Sequence, residues 1–419
     1  MITFDKFDFC DDLHRSITKL GFKNPTKIQE LSIPPILEGK DILGESATGS
    51  GKTLAFGCGI VEKVVPKQGL QALIITPTRE LAEQVKESIS MLAQGKQLRV
   101  LAVYGGTAIN SQIKALRHAE VVIATPGRFN DHLQRGTVNT SKISMFVLDE
   151  VDRMLDMGFI ADIEKIMKSC PQKKQVLFFS ATIPPQIEKL SKKYLDNPIK
   201  VFAEKQVDQT KLKQIYYDIP RALKLSMLVH LLKNETSNMI MIFCNTRRNT
   251  DLIVKNLKLN DINAEALHGG YSQNHRTKTI NDFKKGRKKI LVCTDVAARG
   301  IDIKNISHIY NYDLPSDSTD YVHRIGRTAR AGEEGIVINI LCDYDYDNFS
   351  KILKEHSSFS IKKVKPPVVE KIKIQRESPG PSRGKNPRSR RDAPKRRSSN
   401  NSNRSSNNNR SSNNNRRRR

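Results

Sequence analysis

The chain has 419 residues and a formal net charge of +27, which is long enough for two ordinary domains and a tail. Such a basic balance favours a polyanionic partner, most simply nucleic acid. Its six cysteines are widely spaced, which argues against a disulfide framework or a cysteine zinc site and indicates reduced thiols. We expect a soluble, cytoplasmic protein, because no apolar stretch approaches the ~18–20 residues that span a bilayer and the N-terminus lacks a signal-peptide layout.

Two regions alternate short apolar runs with amphipathic segments, the pattern of a parallel sheet with helices on both faces. We therefore predict an α/β fold with two tandem domains of this kind. The strand candidates are Ala72–Thr76, Val100–Tyr104, Val121–Thr125, Met145–Leu148 and Val176–Ser180, then Met239–Cys244, Ala264–Leu267, Lys289–Thr294, Ile306–Tyr310 and Gly335–Leu341. Function is expected in the loops at their carboxyl ends, where ligands bind open α/β sheets.

The domain boundaries follow from changes in composition. The first domain is predicted at 1–203, a polar linker at 204–212, the second domain at 213–365 and a tail at 366–419. From residue 376 onward the tail carries 13 Arg and two Lys against one Glu and one Asp, about half of the net charge. Without enough apolar surface to offset its ordering entropy, the tail is predicted to be disordered.

A glycine-bearing loop, Ser-Ala-Thr-Gly-Ser-Gly-Lys-Thr at 46–53, is typical of a phosphate cradle at the start of a helix. Lys52 is expected to reach the β- and γ-phosphates, and the Thr53 hydroxyl to ligate Mg²⁺. Gly49 and Gly51 let backbone amides approach the phosphates. The ATP-contacting set in this loop is Ser46, Ala47, Thr48, Gly49, Ser50, Gly51, Lys52 and Thr53.

An apolar run ending at Leu148 is followed by two carboxylates, Asp149 and Glu150. Delivered to a sheet edge, Asp149 is the natural ligand of Mg²⁺ and Glu150 the natural base for an attacking water. With the phosphate loop, this pair predicts an ATP-hydrolysing enzyme that uses Mg²⁺. A solvated acidic turn is the alternative, and the apolar run before the pair argues against it.

These motifs resemble, in order, those of the DEAD-box RNA helicases of superfamily 2, over about residues 4–342. The matching stretches are Phe4, 21–29, 46–53, 77–82, 105–106, 125–128, 149–152 and 180–182, then 242–247, 268–270, 273–276, 294–302 and 323–330. The resemblance implies two RecA-like domains, ATP and Mg²⁺ as cofactors, and RNA as partner. The family is named after the motif Asp-Glu-Ala-Asp. Val151 replaces the alanine of that motif, so the acidic box of this chain reads Asp-Glu-Val-Asp.

The resemblance also assigns nucleotide contacts outside the loop. Phe4 and Phe22 would hold the base, with core packing as the alternative, and the Gln29 amide would read the adenine edge. Arg327 and Arg330 would reach the phosphates from the second domain; they stand three positions apart, so on a helix they would share a face. A basic helix touching RNA is the alternative for these arginines. The full set is Phe4, Phe22, Thr26, Gln29, Gly300, Asp302, Arg327 and Arg330.

Two further groups are implied by the resemblance. Residues coupling hydrolysis to domain closure would be Asp152, Ser180, Thr182 and His323. RNA-contacting residues would be Arg79, Gly106, Thr125, Arg128, Asn245, Arg247, Gly270, Arg276 and Thr294. Such groups bind backbone phosphates without reading sequence, and contacts to 2′-hydroxyls would favour RNA over DNA.

Ala329 is a second departure, because the family commonly has glycine before the last arginine. If this position takes a positive φ, alanine would strain the backbone. We expect a helical position, which accepts alanine.

The predicted function is an RNA-dependent ATPase that closes over ATP and RNA and locally separates duplexes or remodels RNA–protein complexes, non-processively. An ATP-gated RNA clamp and a tail-driven RNA chaperone are the alternatives. We expect the core to be monomeric and not to bind a membrane. Ribosomal or RNA-decay proteins are candidate partners. The tail is a predicted RNA tether or a solubilising segment; ribosome assembly, RNA degradation and cold response stay open as pathways.

Overall fold

The computed structural model describes residues 2–47, 49–203, 212–234, 239–298, 301, 303, 306–329 and 334–375. The first domain contains α1 (Asp11–Lys19), α2 (Lys27–Leu37), β1 (Ile42–Glu45), α3 (Lys52–Lys63), β2 (Ala72–Ile75), α4 (Arg79–Leu92), β3 (Val100–Val103), α5 (Ile109–Leu116), β4 (Val121–Ala124), α6 (Pro126–Gln134), β5 (Met145–Asp149), α7 (Val151–Asp156), α8 (Ile160–Ser169), β6 (Gln175–Ser180), α9 (Pro185–Tyr194) and β7 (Ile199–Phe202). The second contains β8 (Leu212–Asp218), α10 (Lys224–Lys233), β9 (Ile240–Phe243), α11 (Arg247–Leu259), β10 (Ala264–Leu267), α12 (Gln273–Lys284), β11 (Ile290–Cys293), α13 (Asp295–Ala298), β12 (His308–Asn311), α14 (Ser318–Ile325), β13 (Gly335–Leu341), α15 (Tyr346–Glu355) and β14 (Ile361–Lys363).

Within the described residues, the strands form two seven-stranded parallel sheets. Their orders are β3-β4-β2-β5-β6-β1-β7 and β10-β11-β9-β12-β13-β8-β14. Helices cover both faces of each sheet, and each domain holds two apolar clusters, one on each face. Strands buried on both faces read as continuous apolar runs; β2 and β4 are buried at every residue. The predicted fold class is confirmed.

Four strands escaped the sequence prediction: β1, β7, β8 and β14. They are short or polar, and β7 and β14 lie at sheet edges, where one side faces solvent. Leu212, predicted as the last linker residue, is the first residue of β8. The rest of the linker, 204–211, lies outside the described residues.

The predicted start of the disordered tail at residue 366 is wrong by ten residues. Residues 1–375 form one compact unit. Val369 and Ile372 pack on the apolar cluster beneath α10 and α11, and Gln375 is hydrogen-bonded to Asn256. The tail from 376 onward lies outside the described residues. None of the described helices is both long and apolar enough to cross a bilayer.

Candidate ATP and RNA site

The phosphate loop joins the end of β1 to the start of α3. The Ser46 amide donates to the Ser180 carbonyl at 2.9 Å, which fastens the loop to the end of β6. The Lys52 ammonium folds back on the loop and donates to the carbonyls of Ser46 (2.7 Å) and Ala47 (3.2 Å). The unpaired amides at the start of α3 and this ammonium meet at one place, which is an anion-binding arrangement.

Gln29 links the start of α2 to this loop. Its Oε1 accepts from the Thr26 amide at 2.8 Å and its Nε2 donates to the Gly51 carbonyl at 3.0 Å. The Thr26 hydroxyl donates to the Ser50 carbonyl at 2.7 Å. Gly51 has a φ of 96°, and a Cβ there would collide with Gln29 Nε2. Gln29, which was assigned to adenine, and Thr26, which was assigned to the nucleotide, therefore also hold the phosphate loop. Their nucleotide contacts stay predictions.

The two phenylalanines assigned to the base differ in exposure. Phe4 is 3% exposed and packs edge-on against Phe7. Phe22 is 45% exposed, with its ring centroid 6.5 Å from that of Phe4. Core packing therefore describes Phe4, whereas Phe22 presents an aromatic surface that a base could contact.

The acidic pair stands where β5 ends. Asp149 and Glu150 are only 3% and 5% exposed, and Glu150 has a left-handed φ of 57°. Burial raises the pKa of Asp149 to about 7, against the opposing charge of Lys52. Asp149 Oδ1 and Glu150 Oε2 are buried with no hydrogen-bond partner among the described residues. Buried carboxylate oxygens without donors fit a hard cation such as Mg²⁺.

The residues expected to couple hydrolysis to closure gather around one carboxylate. Asp152 Oδ2 accepts from the amides of Ala181 (3.2 Å) and Thr182 (3.1 Å) and from the Thr182 hydroxyl (3.2 Å). The Asp152 amide donates to Ser180 Oγ at 3.2 Å. From the second domain, His323 Nε2 approaches Asp152 Oδ2 to 4.0 Å. The acidic box, the end of β6 and the second domain thus meet here.

Two ion pairs across the domains were not foreseen. Arg153, 3% exposed, places Nη1 2.7 Å from Asp320 Oδ1. Glu80 Oε1 is 3.0 Å from Arg276 Nη2 and also accepts from Gln273 at 3.0 Å. The sequence contains one indication that these residues matter, which is that Arg153 follows the acidic box and Glu80 follows the RNA candidate Arg79. Spacing along the chain could not identify their partners.

Arg324 organises the second domain from inside. Its guanidinium pairs with both carboxylate oxygens of Asp295 at 2.6 Å and donates to Asn311 Oδ1 at 3.1 Å. It also donates to Asn245 Oδ1 at 3.0 Å. This bidentate pair fixes α14 against α13, and it was absent from the predicted site. The predicted RNA contact Asn245 is therefore engaged with its own domain through its side chain.

The chain around Arg327 and Ala329 differs from expectation. Helix α14 ends at Ile325, so Arg327 lies in the turn that follows, and the expectation of a shared helix face is wrong for it. Arg327 Nη1 donates to the Ile301 carbonyl at 2.7 Å. Ala329 has a φ of 51°, so the predicted helical conformation is wrong. The bridge between Ile306 and Thr328 takes the chain out of the helix just before this residue. Four assigned nucleotide contacts lie outside the described residues: Thr48, Gly300, Asp302 and Arg330.

The RNA candidates of the first domain all lie in loops or helix starts at the carboxyl edge of its sheet. Arg79 begins α4, and Thr125 is the N-cap residue of α6. Gly106 has a φ of 84°, and a Cβ there would collide with the Arg79 guanidinium. Arg128 donates to the Thr107 carbonyl at 3.2 Å, which ties α6 to the loop after β3.

In the second domain, Asn245, Arg247 and Gly270 are exposed, whereas Arg276 and Thr294 are not. Arg247 is exposed at the first position of α11. The Gly270 amide donates to His268 Nδ1 at 3.1 Å. Thr294 is 8% exposed, and Arg276 is occupied by Glu80. Arg247 therefore offers the most accessible positive charge of this group.

The protein has two parallel-sheet domains. One contains a phosphate loop and buried carboxylates, and the other has an edge that bears arginines. These features define a two-domain P-loop nucleotide hydrolase. The family models agree with this class: the DEAD/DEAH box helicase model matches residues 26–190, and the helicase conserved C-terminal domain model matches residues 223–332.

Relatives and solved structures narrow the class. The chain is 40% identical over 374 residues to the DEAD-box ATP-dependent RNA helicase CshA of Geobacillus kaustophilus, covering 88% of this chain and 80% of the relative. CshA of Limosilactobacillus reuteri is 41% identical over 370 residues, covering 88% and 74%. The chain belongs to the DEAD-box ATP-dependent RNA helicases.

Among solved structures, S. cerevisiae Dbp5 bound to RNA and ADP BeF3 superposes with a TM-score of 0.80 at 31% identity, covering 87% of this chain and 96% of that one. Mss116p bound to ssRNA and AMP-PNP gives a TM-score of 0.77 at 28% identity, covering 87% and 80%. The two domains are thus the tandem RecA-like domains of this family.

Proposed function

We propose that this protein uses ATP hydrolysis to separate RNA duplexes locally, or to remodel RNA–protein complexes, through closure of its two domains. The proposal rests on two ion pairs that join the two domains. One adjoins the acidic box, at Arg153 and Asp320. The other adjoins the RNA candidate Arg79, at Glu80 and Arg276. The same closure therefore completes the ATP site and the RNA edge, so each ligand favours binding of the other.

In the proposed site, Lys52 would bind the terminal phosphates, and Thr53 and Asp149 would hold Mg²⁺, which would neutralise phosphate charge. Glu150 accepts the proton of the attacking water. Arg327, with Arg330, stabilises the charge that develops on the transferred phosphoryl group. The orphaned oxygens of Asp149 and Glu150 support this assignment.

RNA is proposed to run along the carboxyl edges of both sheets, held by backbone contacts that do not read sequence. Dbp5 and Mss116p, solved with RNA, support an RNA substrate. The basic tail is proposed to act as a tether that raises the local RNA concentration. A cytoplasmic location is proposed from the unpaired thiols: the structure shows all six cysteines as free, five of them buried.

The first test is ATP hydrolysis by the full chain, with and without single-stranded RNA, using DNA of the same sequence as control. Strong stimulation by RNA alone is expected. Arg327→Ala should lower the hydrolysis rate far more than ATP affinity, because a finger acts mainly on the transition state. Arg287→Ala, an exposed arginine paired with Asp282 in the same domain, is the matched control. Equal loss of rate and affinity in Arg327→Ala would contradict the finger assignment.

A further inference from the structure

The segment 364–375, called the strap below, crosses the outside of the second domain after the last strand. Val364, Val369 and Ile372 point inward onto the apolar cluster of α10 and α11. Apart from half-buried Pro366, the residues between them are exposed, and Val368 is 96% exposed. The strap is therefore attached by a few inward side chains and by hydrogen bonds at its far end.

Two asparagines of α11 make those hydrogen bonds. Asn256, which is fully buried, accepts from the Gln375 amide at 2.8 Å and donates to the Gln375 carbonyl at 3.3 Å. Asn260 donates to the Lys373 carbonyl at 3.2 Å. Asn256 Nδ2 also donates to the Leu252 carbonyl of its own helix at 2.8 Å, so release of the strap would leave the buried Oδ1 without its donor. The loss of this hydrogen bond to a buried oxygen makes Asn256 a specific anchor.

The strap moves the chain across the sheet. It begins at β14, the edge strand, and ends on α11, which packs over β10 and β11 at the opposite side. Five strand spacings separate β14 from β11, which is about 24 Å at ~4.8 Å each. The RNA candidates of this domain follow β9, β10 and β11, as Asn245, Gly270 and Thr294. The strap thus carries the chain from the sheet edge that lacks these candidates to the half that holds them.

The strap also runs along α11 toward the RNA candidates of the second domain. It passes Asn260 at Lys373 and Asn256 at Gln375, so it advances toward the N-terminus of the helix. Exposed Arg247 begins that helix, nine residues before Asn256. At 1.5 Å per residue this leaves about 13 Å along the helix axis to the RNA edge. The next residue of the chain, Arg376, opens the segment that carries +13.

We propose that the strap is a positioning device, anchored by Asn256, that starts the basic tail beside the RNA edge of the second domain. The proposal rests on the RNA tether of the proposed function and adds where that tether begins. With the disorder that its composition predicts, a tail of 44 residues would have a root-mean-square reach of roughly 35 Å. Moving its origin by about 24 Å, and lengthening it by the released strap, lowers the effective concentration of its arginines at the RNA.

The test releases the strap with the double variant Asn256→Ala, Ile372→Asp. RNA affinity is measured by fluorescence anisotropy with a single-stranded RNA, in chains ending at Arg419, Arg397 and Gln375. Released chains should bind about twofold more weakly at full length and about fourfold more weakly when they end at Arg397, because a shorter tether is more sensitive to its origin. Chains ending at Gln375 should bind alike with and without the double variant.

Lys258→Ala is the matched control, since Lys258 lies on α11 but pairs with Glu265 rather than with the strap. Trypsin should cleave the released strap faster after Lys371 and Lys373; unchanged cleavage would overturn the anchor. Equal loss at all three lengths, or wild-type binding at all three, would overturn the positioning role. If truncation at Gln375 does not weaken RNA binding at all, the tether itself fails, and the strap proposal with it.

Discussion

The Asp149 carboxylate is buried, and its Oδ1 has no hydrogen-bond partner among the described residues. All residues of β5 are buried, so the strand delivers the side chain to the nucleotide edge with little access to water. Burial raises its pKa to about 7, and the neighbouring Glu150 adds to the rise. In the nucleotide-free protein this carboxylate is costly to ionise, which is typical of a site arranged for a ligand rather than for stability.

Asp149→Asn should therefore stabilise the nucleotide-free protein at pH 8 and have little effect near pH 4. The pKa of Asp149 is higher in the folded state than the unfolded value near 3.9. At pH values between these two pKa values, the folded state therefore binds one more proton than the unfolded state. The wild type then loses roughly 1.4 kcal/mol of unfolding free energy per pH unit between about 4 and 7, relative to the variant. Melting temperatures across this range measure it.

The control for that experiment is Asp131→Asn, because a hydrogen bond from Arg135 lowers the pKa of the half-buried Asp131. This variant should give no stabilisation at any pH. A melting-temperature difference for Asp149→Asn that stays constant with pH would contradict the raised pKa.

Ala329 carries backbone strain beside the turn that contains Arg327. At φ 51° an L-residue other than glycine crowds its Cβ against the backbone, at a cost of roughly 1–2 kcal/mol. Ala329→Gly should thus raise the urea midpoint of unfolding. The expected gain in the free energy of unfolding is about 1 kcal/mol, because the greater backbone entropy of glycine in the unfolded state offsets part of the relieved strain. Ala298→Gly, at a helical position in α13, should lose about 1 kcal/mol instead. Destabilisation by Ala329→Gly would refute the strain.

At the scale of elements, α4 and α12 deliver the second ion pair between domains. Glu80 lies in the first turn of α4, and Gln273 and Arg276 lie in the first turn of α12. Glu80 is 6% exposed, and burial lowers the pKa of Arg276 while the Glu80 charge opposes that fall. A buried pair of this kind contributes mainly through the cost of leaving one charge unpaired, so it makes closure specific.

Glu80→Gln should reduce RNA-stimulated ATP hydrolysis by about tenfold or more, because the closed state would hold Arg276 without its countercharge. Basal hydrolysis and ATP binding should change little, since the phosphate loop is untouched. Glu83→Gln on the same helix, which contacts Tyr104 of its own domain, is the control. If Glu80→Gln and Glu83→Gln behave alike in steady-state assays, the ion pair does not support closure.

At the scale of the whole molecule, the charge is divided between a basic core and a more basic tail. Deleting 376–419 should weaken RNA binding and flatten its dependence on salt, because fewer counterions are released from the RNA. Basal ATP hydrolysis should stay near the wild-type value. Binding titrations between low and moderate salt measure the slope. An unchanged slope would favour the solubilising alternative for the tail.

The sequence by itself determined the two-sheet architecture and the ATP-binding loop. Strands buried on both faces must be apolar throughout, and the phosphate loop and the acidic pair are local arrangements that spacing alone reveals. The weak strands β1, β7, β8 and β14 were missed because their patterns are short or polar, and sheet pairing rather than propensity holds them.

Only the tertiary structure decided the rest of the site. Which arginine faces Asp320 or Glu80 depends on how two domains pack, and no spacing along the chain records it. The left-handed Ala329 lies directly after the bridge between Ile306 and Thr328, a contact between distant segments. The strap is held by Asn256, more than a hundred residues before Gln375. Contacts between distant segments are set by packing and by the need to satisfy buried polar groups, so they become visible only in the folded chain.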